Sequence, residues 1–185
     1  ATETEMKLAM VPGTGDRVLQ HDAVRAAGTG DLAEKRLISV YFDTPSLELK
    51  ARKIAIRVRH KGDRFVQTLK TKGTATDGLF VRRELECDVA SEALELDKID
   101  DEELRSWLQN LKEPLQEVFV TDFSRRMLVV RPQGEAEVEL CVDEGEVRAN
   151  GLREPLHEVE LELVSGDVEA MKRFSAMLSR TFGLT

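Results

Sequence analysis

Four segments of this chain alternate charged and aliphatic residues with a period of two. Residues 3–8 carry two glutamates and a lysine at alternate positions, and residues 158–163 carry three glutamates in the same way. Residues 54–59 and 68–72 place arginines and lysines at the same spacing. Because successive side chains of a strand point to opposite faces, each segment predicts a β-strand with one charged and one apolar face.

The charged faces of these segments are sorted by sign, acidic toward both ends of the chain and basic in the middle. A sheet with one solvent-exposed face explains why charged and apolar residues alternate. It does not explain why the charges are sorted by sign, because like charges directly opposite each other destabilise a sheet. Two unit charges about 8 Å apart repel by roughly 2 kcal/mol at an effective dielectric constant of about 20. Clustered carboxylates attract divalent cations, and clustered arginines and lysines attract a polyanion. The combination therefore suits a metal-chelated phosphate chain.

The composition limits the classes of function. A chain of 185 residues is most simply one domain with a real core, and its net charge of -8 excludes a general nucleic-acid binder. Cys87 and Cys141 lack metal-ligand spacing, so we interpret them as buried free thiols, with a disulfide left open. The sequence shows no signal peptide and no long apolar run, so we expect a cytoplasmic protein that does not bind membranes.

The remaining elements follow from turn residues and hydrophobic period. Further strands are predicted at residues 37–42, 79–89, 119–131, 136–143 and 146–149, with turns at 61–63 and 144–145 and a loop at 74–78. Helices are predicted at residues 16–27, at 91–112 and after a cap at 165–167, while the type of 47–50 stays open. Many short strands with helices between them predict an α+β fold with a largely antiparallel sheet, for which a closed barrel is one arrangement.

Several common chemistries lack the residues they need. His21 lies in a predicted helix, His60 and His157 lie on faces opposite the charges, and no serine or cysteine has a nucleophile-elbow context. The glycine pairs at 13–15 and 28–30 lack the lysine and spacing of a phosphate-binding P-loop. The acidic strands offer only oxygen ligands, which disfavours zinc and suits Mg²⁺ or Mn²⁺.

Short motifs follow one another along the whole chain. The first is Glu3-Thr4-Glu5-Met6-Lys7, and the later ones are Tyr41-Phe42-Asp43-Thr44, Arg57-Val58-Arg59, Thr68-Leu69-Lys70, Arg82-Arg83-Glu84-Leu85-Glu86, Phe123-Ser124-Arg125, residues 139–143 and the strand with Glu158, Glu160 and Glu162. In this order the motifs resemble the CYTH superfamily, the triphosphate tunnel metalloenzymes, whose signature is Glu-x-Glu-x-Lys. The resemblance is strongest to the bacterial inorganic triphosphatases of that group.

This resemblance implies a closed antiparallel β-barrel of about eight strands, the triphosphate tunnel, with helices packed outside. It also implies hydrolysis of inorganic triphosphate (tripolyphosphate) to pyrophosphate and phosphate by water that a divalent metal, Mg²⁺ or Mn²⁺, activates. By position, the substrate would be bound by Lys7, Arg57, Arg59, Lys70, Lys72, Arg82 and Arg125. One or two metal ions would be bound by Glu3, Glu5, Glu139, Asp143, Glu158, Glu160 and Glu162. Catalysis would fall to Glu5, Lys7 and Glu160, while Glu84 and Glu86 would brace the cations.

The chain departs from the family pattern in two places. Glu84-Leu85-Glu86 stands where the family has Glu-Tyr-Glu, so a hydroxyl is missing. Several relatives continue past this chain with a basic helical residue and a CHAD domain. We therefore interpret residues 1–185 as a single tunnel domain, and whether the chain is truncated before a further C-terminal domain stays open.

Three alternative functions stay open. A class IV adenylyl cyclase would carry a His-Phe element ahead of its first strand, which here begins almost at residue 1. A thiamine triphosphatase would need aromatic residues at the tunnel mouth, but only 5% of this chain is aromatic, and we expect most of the phenylalanines in the outer core. A non-catalytic polyphosphate or nucleotide sensor would gain nothing from the acidic strands. The physiological substrate, the preferred metal and the choice between monomer and homodimer also stay open.

Overall fold

A computed structural model describes residues 1–185 and shows a closed β-barrel. Its strands are β1 (Thr2–Ala9), β2 (Gly28–Asp43), β3 (Ala55–Lys61), β4 (Arg64–Lys70), β5 (Thr74–Thr76), β6 (Leu79–Val89), β7 (Gln116–Val130), β8 (Ala136–Ala149) and β9 (Leu152–Gly166). The order around the sheet is β1-β9-β8-β7-β2-β3-β4-β6, and β1 pairs again with β6, so eight antiparallel strands close on themselves. The short β5 adds to the edge of β6. The predicted α+β barrel is confirmed.

Five α-helices pack outside this barrel: α1 (Thr14–Gln20), α2 (Asp22–Ala27), α3 (Glu48–Ala51), α4 (Glu102–Gln109) and α5 (Val168–Phe182). The larger hydrophobic cluster joins α1, α2 and α5 to the outer faces of β1, β8 and β9, and the smaller one joins α3 and α4 to β3 and β4. Each fully buried Leu, Val or Met in these clusters contributes about 1.5–3 kcal/mol. None of the five helices has the length and apolar run that crossing a membrane requires.

The pairing register sends the charged residues inward and the aliphatic ones outward. Residues directly opposite each other share a face of the sheet. The opposed pairs on the inner face include Glu5 with Glu162, Lys7 with Glu160, Asp143 with Glu158, and Arg125 with Asp143. The intervening residues, such as Leu140 and Leu161, are fully buried under the outer helices. A slip by one residue would exchange the two faces, so core burial fixes which side chains face the lumen, the space inside the barrel.

Residues 16–27 form two helices, whereas the sequence predicts one. The backbone of His21 is extended, with φ -63° and ψ 137°, and this residue ends α1. Its Nδ1 then accepts a hydrogen bond from the backbone N–H of Ala23 at 3.2 Å and so caps α2. Histidine is an ordinary helix residue by propensity, so the hydrophobic pattern carried no sign of this break.

Most of the predicted helix at residues 91–112 is irregular. It contains a 3-10 turn at Leu96–Lys98 and only the two turns of α4. The side chain of Gln67 accepts a hydrogen bond from the N–H of Glu95 at 2.8 Å and donates one to its carbonyl at 3.1 Å, which holds this backbone in a non-helical form. Ile99 and Leu108 are buried against the barrel even so. The apolar pattern of residues 91–112 therefore predicted that the segment is buried, but it did not predict its conformation.

The predicted turn at residues 144–145 does not exist, because β8 runs unbroken from Ala136 to Ala149. Gly145 lies where β7 and β8 approach closely, and a Cβ atom there would come 2.1 Å from the carbonyl oxygen of Asp122. The glycine thus marks a close backbone contact inside a strand. Two smaller differences are that the predicted loop at 74–78 contains β5, and that β2 begins at Gly28, well before residue 37.

Candidate active site in the barrel lumen

The lumen holds a cavity of about 410 Å³ whose wall comes from inward-facing positions of all eight barrel strands. All but three of the predicted site residues line it: Glu3, Lys7, Arg57, Arg59, Lys70, Arg125, Glu139, Asp143, Glu158, Glu160 and Glu162. With the other charged residues on the wall, six cationic and eight acidic side chains face this one space. The wall therefore carries more acidic than cationic groups.

The other three predicted residues do not line the cavity. Glu5 is 1% exposed, and its Oε1 accepts a hydrogen bond at 2.7 Å from Arg82 Nη2, so these two inward-facing side chains are paired with each other. Lys72 is exposed and lies two residues beyond the end of β4 at Lys70. Its predicted place on the lumen face is wrong, because the alternation of faces stops where the strand stops.

A cluster of three carboxylates forms the acidic part of the wall. Glu3, Glu160 and Glu162 each bring one oxygen within 4.8 Å of the others. Burial and the neighbouring carboxylates of Glu3 and Glu139 raise the pKa of Glu162 to about 7. Burial also opposes ionisation of Glu160, but the charges of Arg125, Lys7 and Lys70 outweigh it and lower that pKa to about 2. The cluster therefore contains one firmly ionised carboxylate and one that is readily protonated near neutral pH.

This cluster fits a hard divalent cation. Its donors are all carboxylate oxygens, the ligands that Mg²⁺ and Mn²⁺ prefer. Glu162 has no cationic side chain within ion-pair distance, and beside the cluster Glu5 Oε2 is buried without a hydrogen-bond partner. Carboxylates held together in this way destabilise the barrel unless protons or a cation neutralise them.

Three cations on the wall are paired with acidic residues of the lumen. Arg125 donates from Nε and Nη2 to the two oxygens of Asp143, both at 2.8 Å, and its Nη2 also lies 3.2 Å from Glu160 Oε2. Lys70 Nζ lies 2.9 Å from Glu3 Oε2. Lys7 reaches Glu160 Oε2 at 3.8 Å, with a side chain that is 41% exposed. An anionic ligand would have to compete with carboxylates for all of these groups.

Arg57 and Arg59 are held differently, because neither has a carboxylate within ion-pair distance. Arg57 Nη1 donates to the Tyr41 hydroxyl at 3.2 Å, and Arg59 Nε donates to Ser39 Oγ at 2.7 Å. Burial and the nearby charge of Arg57 lower the pKa of Arg59 to about 10, so it stays cationic at neutral pH. These two guanidinium groups are not neutralised by a carboxylate partner, and they form the open cationic part of the wall.

The pairing of the two predicted brace residues differs from the prediction. Glu84 and Glu86 line the cavity, but neither makes an ion pair. Glu86 Oε2 instead accepts a hydrogen bond from Thr68 Oγ1 at 3.0 Å. Burial and the charge of Glu3 raise the pKa of Glu84 to about 7. These two carboxylates therefore add to the acidic excess of the wall.

Sequence reasoning missed several lining residues. Tyr41 and Lys61 continue the alternation of β2 and β3, and that period could have identified them. Phe123 also faces the cavity, although we expected most phenylalanines in the outer core. The guanidinium carbons of Arg59 and Arg125 each lie 5.6 Å from the centroid of its ring, so these cations contact the ring that an organic group would need for stacking.

The raised carboxyl pKa values predict how stability depends on pH. Between about pH 4.5 and 7 the unfolded chain has lost the protons of Glu84 and Glu162, while the folded protein keeps them. In EDTA the melting temperature should therefore fall as pH rises through this window, and added Mg²⁺ should raise it more at pH 8 than at pH 5. Thermal melts at both pH values test this, and Glu162→Gln should flatten the slope. A melting temperature that rose through the window would contradict the assignment.

A second, larger cavity of about 820 Å³ lies on the outside, between α2 and α5. It is lined by small apolar residues and arginines, among them Arg131 and Arg173, and no carboxylate lines it. Arg131 pairs with Glu137 and Arg173 with Glu135 at its rim. Unlike this outer cavity, the lumen cavity combines grouped carboxylates with open cations, which makes it the candidate site.

One curated relative matches most of the chain. The inorganic triphosphatase of Haemophilus influenzae is 30% identical over 177 residues, which are 93% of this chain and 48% of that protein. The chain therefore spans about half the length of the curated relative that it matches.

Solved structures share the fold. A Bacillus halodurans protein provisionally named an adenylate cyclase is 26% identical, with a TM-score of 0.63 over 98% of this chain and 89% of that one. HpAC1 of Hippeastrum, described as having a dominant triphosphatase activity, is 18% identical, with a TM-score of 0.64 over 98% and 88% of the two chains. The Mimivirus capping enzyme triphosphatase is 8% identical, with a TM-score of 0.53 over 98% and 88%. The last two similarities concern the fold alone.

The family match agrees with the barrel, the inward-facing charges and the motif order. The model of the CYTH domain matches residues 1–181, nearly the whole chain. This protein therefore belongs to the CYTH family.

Proposed function

We propose that this protein is a divalent-metal-dependent inorganic triphosphatase that hydrolyses tripolyphosphate to pyrophosphate and phosphate. The observation that carries the proposal is that Arg57 and Arg59, two guanidinium groups without acidic partners, face the same cavity as the carboxylates of Glu3, Glu160 and Glu162. The activity of the Haemophilus influenzae relative, of which this chain spans about half, supports the same reaction.

The phosphate chain binds first to the open cations. Arg57 and Arg59 are two residues apart on β3, so their attachment points are separated by about 7 Å along the lumen. Each guanidinium offers a planar fork of N–H donors that matches two phosphate oxygens. Lys70 and Arg125, which the carboxylates already hold in place, add positive charge farther along the wall. The substrate is thus oriented along β3 and contacted at more than one phosphate.

The acidic cluster supplies the second half of the site. Glu3, Glu160 and Glu162 would hold a divalent ion, which when bound neutralises phosphate charge and activates water. Glu160 also fixes Arg125 and Lys7, since its Oε2 contacts both side chains. Glu5 acts as a positioning residue, because it holds Arg82 in an ion pair beside the carboxylate cluster. Buried carboxyls such as Glu162, with a pKa of about 7, can accept a proton from water near neutral pH.

Selectivity should follow from which groups line the cavity. Its cations can contact every phosphate of a linear triphosphate, whereas the Phe123 ring is engaged by Arg59 and Arg125 and offers little to a base. Binding free energy should therefore come from the phosphate chain alone. We expect tripolyphosphate to exceed ATP and thiamine triphosphate in kcat/KM, and pyrophosphate to react poorly because it reaches too few cations.

One phosphate-release assay at fixed Mg²⁺, with these four substrates side by side, tests the proposal. Product chromatography of the ATP reaction belongs to the same experiment. A preference for ATP, or cyclic AMP among the products, would favour a nucleotide enzyme instead.

The proposed location is the cytoplasm. Cys87 and Cys141 are both free thiols, and Cys141 is buried, as expected for a protein of a reducing compartment.

A further inference from the structure

We propose that Tyr41 is a substrate-binding residue whose hydroxyl donates a hydrogen bond directly to an oxygen of the phosphate chain. Tyr41 lines the lumen cavity next to the open guanidinium of Arg57. The inference rests on the proposed triphosphatase function, because it assigns Tyr41 to the binding of that substrate.

The ring of Tyr41 is held firmly enough to aim its hydroxyl. It stacks on the ring of Phe119, with the centroids 4.4 Å apart and the planes 16° from parallel. Tyr41 and Phe119 are directly opposed across β2 and β7, and Tyr41 is likewise opposed to Arg57 across β2 and β3. Two neighbouring strands therefore fix the side chain, so little conformational entropy is lost when a ligand contacts its hydroxyl.

The hydroxyl group of Tyr41 still has a hydrogen to donate. A phenol can accept hydrogen bonds at its oxygen and donates one. Arg57 Nη1 uses the oxygen as an acceptor at 3.2 Å, and no acceptor atom of the protein takes the hydroxyl hydrogen. The lumen wall around Tyr41 carries Arg57, Arg59 and Lys7, which are donors only. An anionic oxygen that these three cations attract is the natural acceptor for the remaining donor.

The electrostatic surroundings strengthen that donor. Burial alone would raise the pKa of Tyr41, but the positive charges of Arg57, Arg59 and Lys7 outweigh it and hold the pKa below its usual value. A more acidic hydroxyl makes a stronger hydrogen bond to an anionic acceptor. The same oxygen also supports Arg57 without cancelling its charge, which a carboxylate in this position would do.

Ser39 offers a matched control for direct contact. Its hydroxyl supports Arg59 at 2.7 Å, just as Tyr41 supports Arg57, but Ser39 is fully buried and does not line the cavity. Loss of the Ser39 hydroxyl can therefore act on substrate only through Arg59, whereas loss of the Tyr41 hydroxyl removes a group that faces it.

The test compares Tyr41→Phe, Ser39→Ala and the wild type. The first readout is the Kd of imidotriphosphate, whose P–N–P bridges resist hydrolysis, measured by calorimetry in Mg²⁺; the second is KM and kcat for tripolyphosphate. We expect Tyr41→Phe to weaken binding and raise KM about 10- to 100-fold, the range for one hydrogen bond to a charged acceptor, with a smaller change in kcat. Ser39→Ala should change both constants by less than about threefold.

The controls separate this inference from the function on which it rests. The melting temperature and its increase with Mg²⁺ should be the same in Tyr41→Phe and wild type, since the ring and the carboxylates remain. A wild-type Kd in Tyr41→Phe, or an equal loss in Ser39→Ala, would overturn direct contact by Tyr41. A wild type that neither binds imidotriphosphate nor hydrolyses tripolyphosphate would instead overturn the triphosphatase proposal.

Discussion

Replacing Glu160 by glutamine is expected to lower kcat for tripolyphosphate by about 10³-fold or more while the barrel stays folded. The substitution removes one charge and almost no volume from a residue that is 6% exposed. Glu160 belongs to the carboxylate cluster and contacts both Arg125 and Lys7, so metal binding and the placement of these cations fail together. Steady-state phosphate release measures the loss, and circular dichroism checks the fold.

Glu137→Gln is the matched control for this variant. Glu137 lies at the start of β8, pairs with Arg131 and does not line the cavity. The Glu137→Gln variant should keep the wild-type kcat. A folded Glu160→Gln protein with wild-type turnover would mean that the carboxylate cluster takes no part in the reaction.

Replacing Arg57 by alanine should lower kcat/KM for tripolyphosphate by about 100-fold, the effect of losing two charge-assisted hydrogen bonds worth about 3 kcal/mol together. The loss should be large because Arg57 has no acidic partner, so its charge is fully available to substrate. Stabilisation by Mg²⁺ alone should be retained, since Arg57 is not part of the carboxylate cluster. Kinetics with tripolyphosphate and Mg²⁺-dependent thermal melts provide the two readouts.

Arg64→Ala controls for the loss of an arginine as such. Arg64 begins β4, is exposed and pairs with Asp88 on the surface, where an ion pair contributes at most about 1 kcal/mol. The kinetics of the Arg64→Ala variant should match those of the wild type. If Arg57→Ala behaved in the same way, the open guanidinium groups would not bind the substrate.

The strands could be predicted from sequence because two signals agree there. In β1 and β9 the charge alternation and the aliphatic alternation have the same period, and burial of one set forces the other into the lumen. The predicted bounds of β6, residues 79–89, match the structure residue for residue. In contrast, the break at His21 and the irregular path around Glu95 depend on single side-chain hydrogen bonds that no periodicity encodes.

The site could be predicted as a set of residues but not as a set of pairs. Alternation placed Arg57, Arg59 and Arg125 on one face, yet it could not show that Asp143 already holds Arg125 while hydroxyls hold the other two. It also could not show that Arg82 pairs with Glu5. Such partners come from strands distant in sequence, because closure of the barrel brings them together.

The most direct test of the central proposal is the rate of phosphate release from tripolyphosphate by the wild-type protein as Mg²⁺ is titrated from EDTA to saturation. Because acidic side chains outnumber cations on the cavity wall, we expect no turnover in EDTA and a rate that rises to a plateau with Mg²⁺. A rate that stayed the same in EDTA, or no release at any concentration of Mg²⁺ or Mn²⁺, would contradict a metal-dependent triphosphatase.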